Sequence, residues 1–312
     1  MVMVYIHKKY RKIAVFSSTI NAGRALTTRQ VKLILSNISN DHPGGSVKII
    51  HFSDPHAGGG AEDWRAYFDK RWVGVFNYRF RRRYKHDLSK LKTAVEYILD
   101  ARPDVAVCTG DLTSTGQPGE FERVLDILKP LRDSAIPLLY MPGNHDRYVN
   151  AAKCVAAVRA AVEFLSRGEY KFDDMPLVRE HAGVEFALVN CCRPSNIFCS
   201  WGFLSRSDSG YIEKWCAEPK TKPRILLSHY PMTEDHPLLR LRHRLFGQGH
   251  VVELMRGHAI DLVLCGHIHK PYLKVDADGR GECCAGSVTR NGSMVEIEVA
   301  PDGRSAFRRI EL

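Results

Sequence analysis

Polar side chains that can bind metal ions follow apolar, strand-like runs at five places along the chain. The preceding runs include Val47 to Phe52, Val105 to Cys108 and Ile225 to Leu227. Because parallel strands of one sheet end at the same edge, we expect the polar stretches to meet at one rim. No other feature of the sequence constrains the fold as strongly. The stretches are Ser53-Asp54-Pro55-His56, Gly110-Asp111, Gly143-Asn144-His145-Asp146, Ser228-His229-Tyr230-Pro231 and Gly266-His267-Ile268-His269.

The side chains in these stretches offer oxygen and imidazole nitrogen atoms, the donors that borderline divalent metals accept. The nine cysteines show no Cys-x-x-Cys spacing, and several lie inside apolar runs, such as Cys108 and Cys265. We expect them to be small buried side chains in a reducing compartment. The donor set therefore favours a hydrolytic metal site over a structural zinc site.

The chain is long enough to bury a full hydrophobic core. It has 312 residues, of which 44% are hydrophobic, and this fits one large α/β domain or two small ones. The sequence contains no run of eighteen apolar residues, and its N-terminus lacks the apolar core of a secretory signal. We therefore expect a globular, cytoplasmic protein.

Positive charge is concentrated in two segments, although the formal net charge of the whole chain is +10. Residues 1–46 contain seven basic side chains and one acidic side chain. Residues 62–86 contain eight basic and three acidic side chains, so the rest of the chain is nearly neutral. Attraction to an anionic partner is predicted to come from these two segments.

Residues 1–46 differ in composition from the remainder. They are rich in Ser, Thr, Asn and basic residues, and they end in Asp41-His42-Pro43-Gly44-Gly45, which breaks regular structure. We expect this N-terminal basic extension to be disordered or not part of the domain. Three origins stay open: a disordered tail, an over-extended start of the sequence, or a transit peptide.

Strand-like and helical patterns alternate from Val47 onward. Helices from about Leu88 to Leu99 and from about Glu120 to Leu131 separate the first three strands, which is the β-α-β-α-β pattern of a parallel sheet. Further helices are predicted over Ala151 to Leu165 and near Val251 to Met255.

The chain from Pro271 to Leu312 changes character. Two runs alternate apolar and polar side chains, Tyr272 to Val275 and Met294 to Val299, and Asp278-Gly279 and Asn291-Gly292 interrupt them. Alternation with such turn signals is typical of antiparallel hairpins. The complete pattern predicts an α/β fold, in which a β-sandwich carries helices on its outside.

The five polar stretches, in this order, resemble the pattern of the calcineurin-like metallophosphoesterase superfamily: Asp-x-His, Gly-Asp, Gly-Asn-His-Asp/Glu, a later His, and Gly-His-x-His. The resemblance runs from Val47 to about residue 290. It implies a calcineurin-like four-layer α/β/β/α sandwich around a mixed β-sandwich, within a domain at residues 47–312. It also implies hydrolysis of a phosphoester or phosphoanhydride bond.

The resemblance further implies two divalent metal ions that share Asp111 as a ligand. A shared carboxylate suits phosphoryl transfer, since two adjacent cations can clamp the reacting oxygens. The implied ions are Mn, Fe, Zn or Co, because mixed nitrogen and oxygen sites accept each of them. The implied ligands are Asp54, His56, Asp111 and His269 for one ion, and Asp111, Asn144, His229 and His267 for the other.

His145 and Asp146 adjoin an implied ligand but are assigned to neither metal. By the same resemblance, His145 stabilises the phosphoryl oxygens or protonates the leaving group, and Asp146 fixes the ring of His145. Asp146 could also cap a helix that starts near Tyr148, and the two roles are compatible.

A basic aromatic insert occupies residues 62–86, between the first two polar stretches. From Trp64 to Lys85, two Trp and three Phe residues interleave with basic side chains. Exposed aromatic side chains at this density mark a partner surface, and the insert follows His56 closely, so we expect it beside the metals. Its candidate contacts to substrate or membrane are Arg81, Arg82 and Arg83.

Three interpretations of the insert stay open. It could be a helical hairpin whose aromatic side chains pack on the domain while its arginines face water. It could instead be a docking surface for an anionic membrane or an acyl chain. Binding of single-stranded nucleic acid is the least favoured of the three.

A second basic and apolar stretch, Leu238 to Phe246, follows His229 and is expected at the same rim. An amphipathic helix with an ordinary solvated face is the structural alternative. This arrangement of two basic and apolar elements beside a dinuclear site resembles that of one branch of the superfamily. Members of that branch cleave the pyrophosphate of UDP-2,3-diacylglucosamine in lipid A synthesis. The candidate contacts in this stretch are Arg240, Arg242 and Arg244.

These features favour hydrolysis of a nucleotide-diphospho lipid by a cytoplasmic enzyme that is peripheral on the inner membrane. A soluble cyclic-nucleotide or general phosphodiesterase is the alternative enzyme. A phosphate-binding or membrane-docking module without catalysis is the alternative of another class, but the complete ligand set and His145 argue against it. The expected partners are a phosphate-ester or nucleotide-containing substrate and an anionic membrane surface contacted through residues 62–86. The sequence leaves the oligomeric state open.

Overall fold

The computed structural model describes residues 45–194, 199–233 and 242–312, together with the backbone of two strands nearer the N-terminus, Val2–Ile6 (β1) and Ile13–Ser17 (β2). The other strands are β3 Val47–Phe52, β4 Val105–Cys108, β5 Leu138–Tyr140, β6 Leu177–His181, β7 Val184–Leu188, β8 Gly202–Phe203, β9 Arg224–Leu227, β10 Leu245–Phe246, β11 Leu262–Cys265, β12 Tyr272–Val275, β13 Gly281–Cys284, β14 Ser293–Val299 and β15 Ser305–Glu311.

Helices connect most of these strands. Local sequence accounts for several of their ends: Asp87 caps the first turn of the helix that begins at Leu88, and Gln117 and Glu120 form a capping box around Pro118. The α-helices are α1 Arg71–Phe80, α2 Leu88–Ala101, α3 Pro118–Asp133, α4 Ala152–Leu165, α5 Arg206–Ala217, α6 Gly249–Arg256 and α7 Val288–Asn291, and short 3-10 helices span Trp64–Tyr67, Arg82–Tyr84 and Phe172–Asp174.

The strands form two large mixed sheets and one short pair. One sheet has the order β15-β14-β3-β4-β5, with β3, β4 and β5 parallel. The other has the order β2-β1-β12-β13-β11-β9-β7-β6, with β7, β9, β11 and β13 parallel. Strands β8 and β10 pair separately. The parallel centre of each sheet produces the strand ends on which the polar stretches lie.

The two large sheets share one hydrophobic core. On β9, Ile225 and Leu227 belong to the central core, which also contains Ile49 of β3. Leu226 points the other way, into a second cluster on the outer face of the sheet. Because side chains alternate along a strand, one run of apolar residues fills both layers. The central strands β9 and β11 of the eight-stranded sheet are therefore buried on both faces.

Helices cover the outer face of each sheet. Leu91 of α2, Val124 of α3 and Val158 of α4 pack into the core on the side of the five-stranded sheet. Ile212 of α5 and Val251 of α6 pack into the outer cluster of the other sheet. The predicted four-layer α/β/β/α sandwich is thus confirmed. No helix in the described ranges is both long and apolar enough to cross a membrane.

One of the two predicted turns in the C-terminal segment is wrong. Asp278-Gly279 does join the antiparallel strands β12 and β13. Asn291-Gly292 instead ends helix α7, where Gly292 has the left-handed φ of 63°. Glycine with this backbone conformation is common after the last turn of a helix, so the local signal fits both structures.

Two strands lie within the N-terminal residues 1–46. Strand β1 pairs with β12 and with β2, all antiparallel, which extends the edge of the eight-stranded sheet. Residues 7–12 and 18–44 lie outside the described part of the chain. The domain boundary at residue 46 therefore stays a prediction.

Candidate metal centre

The candidate ligands lie where strands of both sheets end. Asp54 and Asp111 follow β3 and β4 of the five-stranded sheet. His229 and His267 follow β9 and β11 of the eight-stranded sheet. Their side chains meet in two groups whose candidate ligand atoms lie within 4.8 Å of one another. The predicted meeting of these stretches at one rim is therefore formed by two sheets, not by one.

The first group consists of Asp54, His56, Asp111 and His269. The Nε2 atoms of His56 and His269 are 2.8 Å apart. His269 Nε2 is 3.3 Å from Oδ1 of Asp54, and His56 Nε2 is 3.4 Å from Oδ2 of Asp111. Four donor atoms from four separate loop positions thus point at one small volume, as expected of ligands around a single cation.

The second group consists of Asp111, His229 and His267. His229 Nε2 is 3.4 Å from Oδ2 of Asp111 and 3.1 Å from Oδ1 of Asn144. Asn144 therefore belongs to this group through its amide oxygen. The group has the mixed nitrogen and oxygen donors that transition metals accept.

Asp111 lies between the two groups. Its Oδ1 accepts a hydrogen bond of 2.7 Å from the backbone N–H of His145. Its Oδ2 is buried without any hydrogen-bond partner, although it lies 3.4 Å from Nε2 of both His56 and His229. A buried carboxylate oxygen without a donor is costly, and cations on either side of it would remove that cost. The donor set and this oxygen both fit metal ions.

Backbone carbonyls hold two of the candidate imidazoles in a metal-facing orientation. His56 Nδ1 lies 3.2 Å from the carbonyl of Thr113, and His229 Nδ1 lies 2.7 Å from the carbonyl of Thr109. A carbonyl only accepts, so each Nδ1 carries a proton, and each Nε2 presents a lone pair to the site when its ring is neutral. This is the usual outer contact of metal-binding histidines.

Five of the seven candidate ligands have left-handed backbones. Such φ values are uncommon outside glycine and cost free energy, of order 1–3 kcal/mol per residue when strained. Their coincidence at one site indicates that function, and not packing alone, maintains them. The residues and angles are Asp54 (55°), His56 (51°), Asp111 (54°), His267 (69°) and His269 (57°).

Two glycines leave room for the carboxylates. A Cβ atom at Gly143 would lie 2.2 Å from Oδ1 of Asp111, and one at Gly266 would lie 2.6 Å from Oδ2 of Asp54. Both distances are far below a normal contact. Any larger residue at these positions would displace a candidate ligand.

Asp111 and His229 shift each other's pKa in opposite directions. Burial by itself would lower the pKa of His229, but the carboxylate of Asp111 outweighs burial and raises this pKa to about 9. Burial by itself would raise the pKa of Asp111, but the charges of His229 and His145 outweigh it and lower this pKa. The carboxylate of Asp111 therefore stabilises positive charge beside it, and a divalent cation would supply such charge.

His145 lies at the mouth of the site. Its Nδ1 donates to the carbonyl of Ser114 at 2.7 Å, and its ring stacks on Tyr148 with 5.2 Å between centroids. The guanidinium of Arg82 is 3.1 Å from its Nε2. Burial and the charge of Arg82 lower the pKa of His145 well below its ordinary value.

Asp146 does not contact the ring of His145, so that predicted contact is wrong. Its carboxylate is saturated by other donors, among them the hydroxyl of Tyr140 at 2.9 Å and the N–H groups of Thr113 and Gly143 at 2.9 Å each. Burial, followed by the charge of Asp111, raises the pKa of Asp146 to about 6. Asp146 thus ties together the two loops that carry Asp111 and Asn144.

The alternative role of Asp146 as a helix cap is also wrong. No helix begins near Tyr148; helix α4 begins at Ala152 and has Ala151 at its N-cap. Residues 144–147 form a turn instead. A saturated carboxylate buried among loop amides explains why the local capping signal fails here.

The sequence patterns did not identify two histidines that adjoin the site. His243 Nδ1 is 3.0 Å from Nε2 of His267, beside the second group. The ring of His86 is 4.9 Å from that of His56, and its Nδ1 bonds the hydroxyl of Thr289. His243 lies between Arg242 and Arg244 of the second basic stretch, and the expected position of that stretch at the rim was a usable signal.

The three consecutive arginines of the insert separate in space. Arg81 and Arg83 are exposed, whereas Arg82 is half-buried and reaches His145. Seven of the aromatic side chains are exposed, so the interpretation as a packed hairpin is wrong for these, although the ring of Tyr78 does pack on the domain at Gly58. The exposed aromatic residues of the insert are Trp64, Tyr67, Phe68, Trp72, Phe76, Phe80 and Tyr84, with Phe68 the most exposed at 82%.

The second basic stretch is only partly described. Arg240 lies outside the described residues. Arg242 and Arg244 are exposed, and the guanidinium of Arg244 lies over the ring of Phe246, 4.6 Å from its centroid. Leu245–Phe246 forms strand β10, not a helix. Contact of Arg240, Arg242 and Arg244 with a substrate stays a prediction.

Comparison with known proteins identifies the family. Residues 47–271 match the family model described as calcineurin-like phosphoesterase. Since this match covers more than half of the chain, the protein belongs to the calcineurin-like phosphoesterase family. Membership of this family and the two side-chain groups together indicate a divalent metal centre.

Two curated relatives are phosphodiesterases. A cAMP/cGMP dual specificity phosphodiesterase of Mycobacterium tuberculosis is 23% identical over 232 residues, which cover 73% of this chain and 64% of the relative. A 3',5'-cyclic-nucleotide phosphodiesterase of Nostoc is 24% identical over 176 residues, which cover 54% of this chain and 57% of the relative. The chain thus spans less than two thirds of the length of these relatives.

A solved structure supports the fold. A dimetal phosphatase from Danio rerio superposes with a TM-score of 0.57 and 14% identity, covering 86% of this chain and 99% of that chain. Identity at this level supports the architecture alone. The sandwich is therefore shared with this phosphatase, and the chemistry of the present chain has to be argued from its own residues.

Proposed function

We propose that this protein hydrolyses phosphodiester bonds at a centre of two divalent metal ions. The observation that carries the proposal is the buried Oδ2 of Asp111, which has no hydrogen-bond partner and lies 3.4 Å from Nε2 of His56 and of His229. One carboxylate that serves two adjacent groups of donors suits a bridging ligand. When bound, two such cations supply Lewis-acid activation of water and of the phosphoryl group.

The proposed ligands fall into two sets that share Asp111. Mn, Fe, Zn and Co all suit their mixed donors. His243 is a further candidate at the second ion, because its Nδ1 lies beside His267. The first set is Asp54, His56, Asp111 and His269, and the second is Asp111, Asn144, His229 and His267.

His145 is proposed to act on the substrate and Asp146 to act as a positioning residue. The hydrogen bond from the His145 ring to Ser114 fixes the ring, so that its Nε2 faces the mouth of the site. There it can donate to a phosphoryl oxygen or a leaving group when protonated. Asp146 holds the loops of Asp111 and Asn144 together by accepting hydrogen bonds from the N–H groups of Thr113 and Gly143.

A soluble diester such as a cyclic nucleotide is the substrate class that we propose first. Both relatives described above are cyclic-nucleotide phosphodiesterases by name. The soluble cyclic-nucleotide phosphodiesterase, which was the alternative in the sequence analysis, therefore becomes our first candidate. A cytoplasmic location suits such a substrate.

A lipid-linked nucleotide diphosphate, such as UDP-2,3-diacylglucosamine, is the second candidate substrate. It is favoured by the insert at residues 62–86, where seven large aromatic side chains are exposed beside the site. Basic residues such as Arg81 and Arg83 accompany them, which suits an anionic membrane surface. The protein would then be peripheral on the inner membrane.

The test compares hydrolysis of bis-p-nitrophenyl phosphate, cyclic AMP and UDP-diacylglucosamine by protein loaded separately with Mn, Fe, Zn or Co. We expect turnover of at least one substrate with at least one metal, and loss of turnover with a chelator. Preference for cyclic AMP favours the first candidate, and preference for the lipid favours the second. Absence of turnover with every metal would contradict the proposal and favour a phosphate-binding module without catalysis.

A further inference from the structure

One arginine of the insert, Arg82, reaches the candidate metal centre. Arg82 begins the 3-10 helix that follows α1, and its side chain turns toward the site while its neighbours Arg81 and Arg83 face solvent. Its Nη1 and Nη2 atoms lie 3.3 Å and 3.1 Å from the two ring nitrogens of His145. Arg82 is therefore separate from the basic surface of the insert.

The guanidinium of Arg82 has more N–H donors than the His145 ring can accept. His145 Nδ1 already donates to the carbonyl of Ser114, so only Nε2 of that ring can accept a hydrogen bond from Arg82. No carboxylate in the described ranges forms an ion pair with Arg82. A guanidinium has five N–H donors and stays charged when buried, so this one is poised for an oxyanion.

The insert is seated firmly on the domain on this side. A Cβ atom at Gly58 would lie 2.1 Å from the ring of Tyr78, and one at Gly74 would lie 2.3 Å from Thr115, so helix α1 packs as closely as glycine allows. At the start of the same helix, the buried guanidinium of Arg71 lies 4.0 Å from Sγ of Cys154 in α4. These contacts place Arg82 before any substrate arrives.

We propose that Arg82 binds the non-bridging phosphoryl oxygens of the substrate, and that the insert thereby forms part of the catalytic centre. The proposal rests on the phosphodiesterase function argued above. A planar guanidinium matches two phosphoryl oxygens, and such charge-assisted pairs are the stronger kind of hydrogen bond. On binding, Arg82 exchanges the imidazole of His145 for phosphate, which frees Nε2 of His145 to face the leaving group.

The test measures binding of inorganic phosphate and turnover of bis-p-nitrophenyl phosphate in Mn-loaded full-length protein. Arg82→Gln is expected to weaken phosphate binding, measured by calorimetry, about 10- to 100-fold and to raise KM similarly. Arg82→Lys is expected to recover part of the lost phosphate affinity, because it restores the positive charge but not the planar group that can bind two oxygens at once. The matched control Arg79→Gln removes the same charge from an exposed position of helix α1, and it should leave phosphate affinity unchanged.

Wild-type phosphate affinity in Arg82→Gln, with a melting temperature and Mn content equal to those of the wild type, would overturn the proposal. Equal losses in Arg79→Gln and Arg82→Gln would overturn it as well, because the effect would then be general electrostatics. If the wild type turned over no substrate but bound phosphate in an Arg82-dependent way, the phosphodiesterase function would fail while this assignment stood.

Discussion

Asp111 is expected to be the residue on which both metals depend. Changing it to Asn keeps the size and the tolerance for a left-handed backbone but removes the negative charge between the two groups. We expect Asp111→Asn to lose at least one metal equivalent and most of its turnover, while its melting temperature without metal stays close to that of the wild type. Metal analysis and thermal unfolding check this expectation.

Asp100→Asn provides the matched control, because Asp100 is an exposed carboxylate of helix α2. It should bind two metals and turn over normally. Two tightly bound metals and near-normal turnover in Asp111→Asn would show that Asp111 is not the bridging ligand.

His145 is expected to affect turnover but not metal content. Its hydrogen bond to the candidate ligand Asp111 comes from the backbone N–H and survives replacement of the side chain, whose ring meets that of His56 only edge-on, with 4.9 Å between centroids. His145→Ala should lower turnover by roughly 10²- to 10⁴-fold, the usual contribution of a positioned proton donor or acceptor. Loss of a metal equivalent in this variant would instead make His145 a ligand.

His243 gives a separate prediction for the second metal. If its Nδ1 serves the same cation as His267, His243→Ala should weaken the second metal equivalent by about 10- to 100-fold, with the first equivalent unchanged. Metal titration followed by calorimetry measures both equivalents. His250→Ala, at an exposed position of helix α6, is the control. Identical titrations for all three proteins would exclude His243 as a ligand.

The insert is the element whose two sides have different surroundings. Its inner side carries Arg82 against His145, and its outer side presents aromatic rings, such as Phe76 and Phe80, to solvent. Phe76 and Phe80 also contact each other at 4.5 Å between ring centroids. An exposed aromatic cluster among basic residues is suited to a headgroup region.

Vesicle binding tests that outer surface. Changing Arg81 and Arg83 to Ser, with Arg82 kept, should remove about 2 kcal/mol of attraction to an anionic vesicle at roughly 1 kcal/mol per charge. Co-sedimentation with phosphatidylserine vesicles should fall sharply, and raised salt should have the same effect on the wild type. Turnover of a small soluble diester should barely change, because Arg82 stays in place.

The control for this experiment removes two exposed arginines elsewhere, Arg304 and Arg309. It lowers the net charge equally but leaves the insert intact. Equal vesicle binding by the two double variants would contradict membrane docking through residues 62–86, and the lipid-linked substrate would then lose its structural support.

At the scale of the whole molecule, the site exists because two sheets meet. The five-stranded sheet supplies Asp54 and Asp111, and the eight-stranded sheet supplies His229 and His267. The shared core between the sheets, with Ile49 on one side and Leu227 on the other, fixes their separation. Global stability and site geometry are thus linked through one core.

Glu120 predicts how the stability of the whole fold depends on pH. Burial raises the pKa of this carboxyl to about 7, above its unfolded value. The folded state therefore binds more protons than the unfolded state between about pH 4.5 and 7, so the stability that this group contributes is lost as pH rises through that range. Glu120→Gln should reduce the difference in unfolding free energy between pH 5 and 7, by roughly 3 kcal/mol at most.

Urea unfolding of both proteins at the two pH values measures this effect. The metal-free form is used for both, so that metal loss does not contribute. Parallel pH profiles for the wild type and Glu120→Gln would contradict the assigned shift in pKa.

The sequence by itself predicted the features that depend on local pattern. The buried strand Val47–Phe52 and the half-buried strand Tyr272–Val275 follow from runs of apolar or alternating side chains, and the structure has them at the predicted bounds. The sequence also predicted that the candidate ligands meet at strand ends, because four of the five polar stretches follow an apolar run directly, but it predicted one sheet where the structure has two. Short-range patterns are reliable here since strand ends and ligand positions are adjacent in the chain.

Only the tertiary structure decided the contacts between segments that are distant in the chain. Arg82 could not be separated from Arg81 and Arg83 by sequence, because its direction depends on where helix α1 packs near Gly58. Asp146 carries an ordinary capping signal, yet its partners come from the loop around Thr113. Side-chain direction and buried hydrogen bonding depend on packing across the whole fold, and local sequence does not encode them.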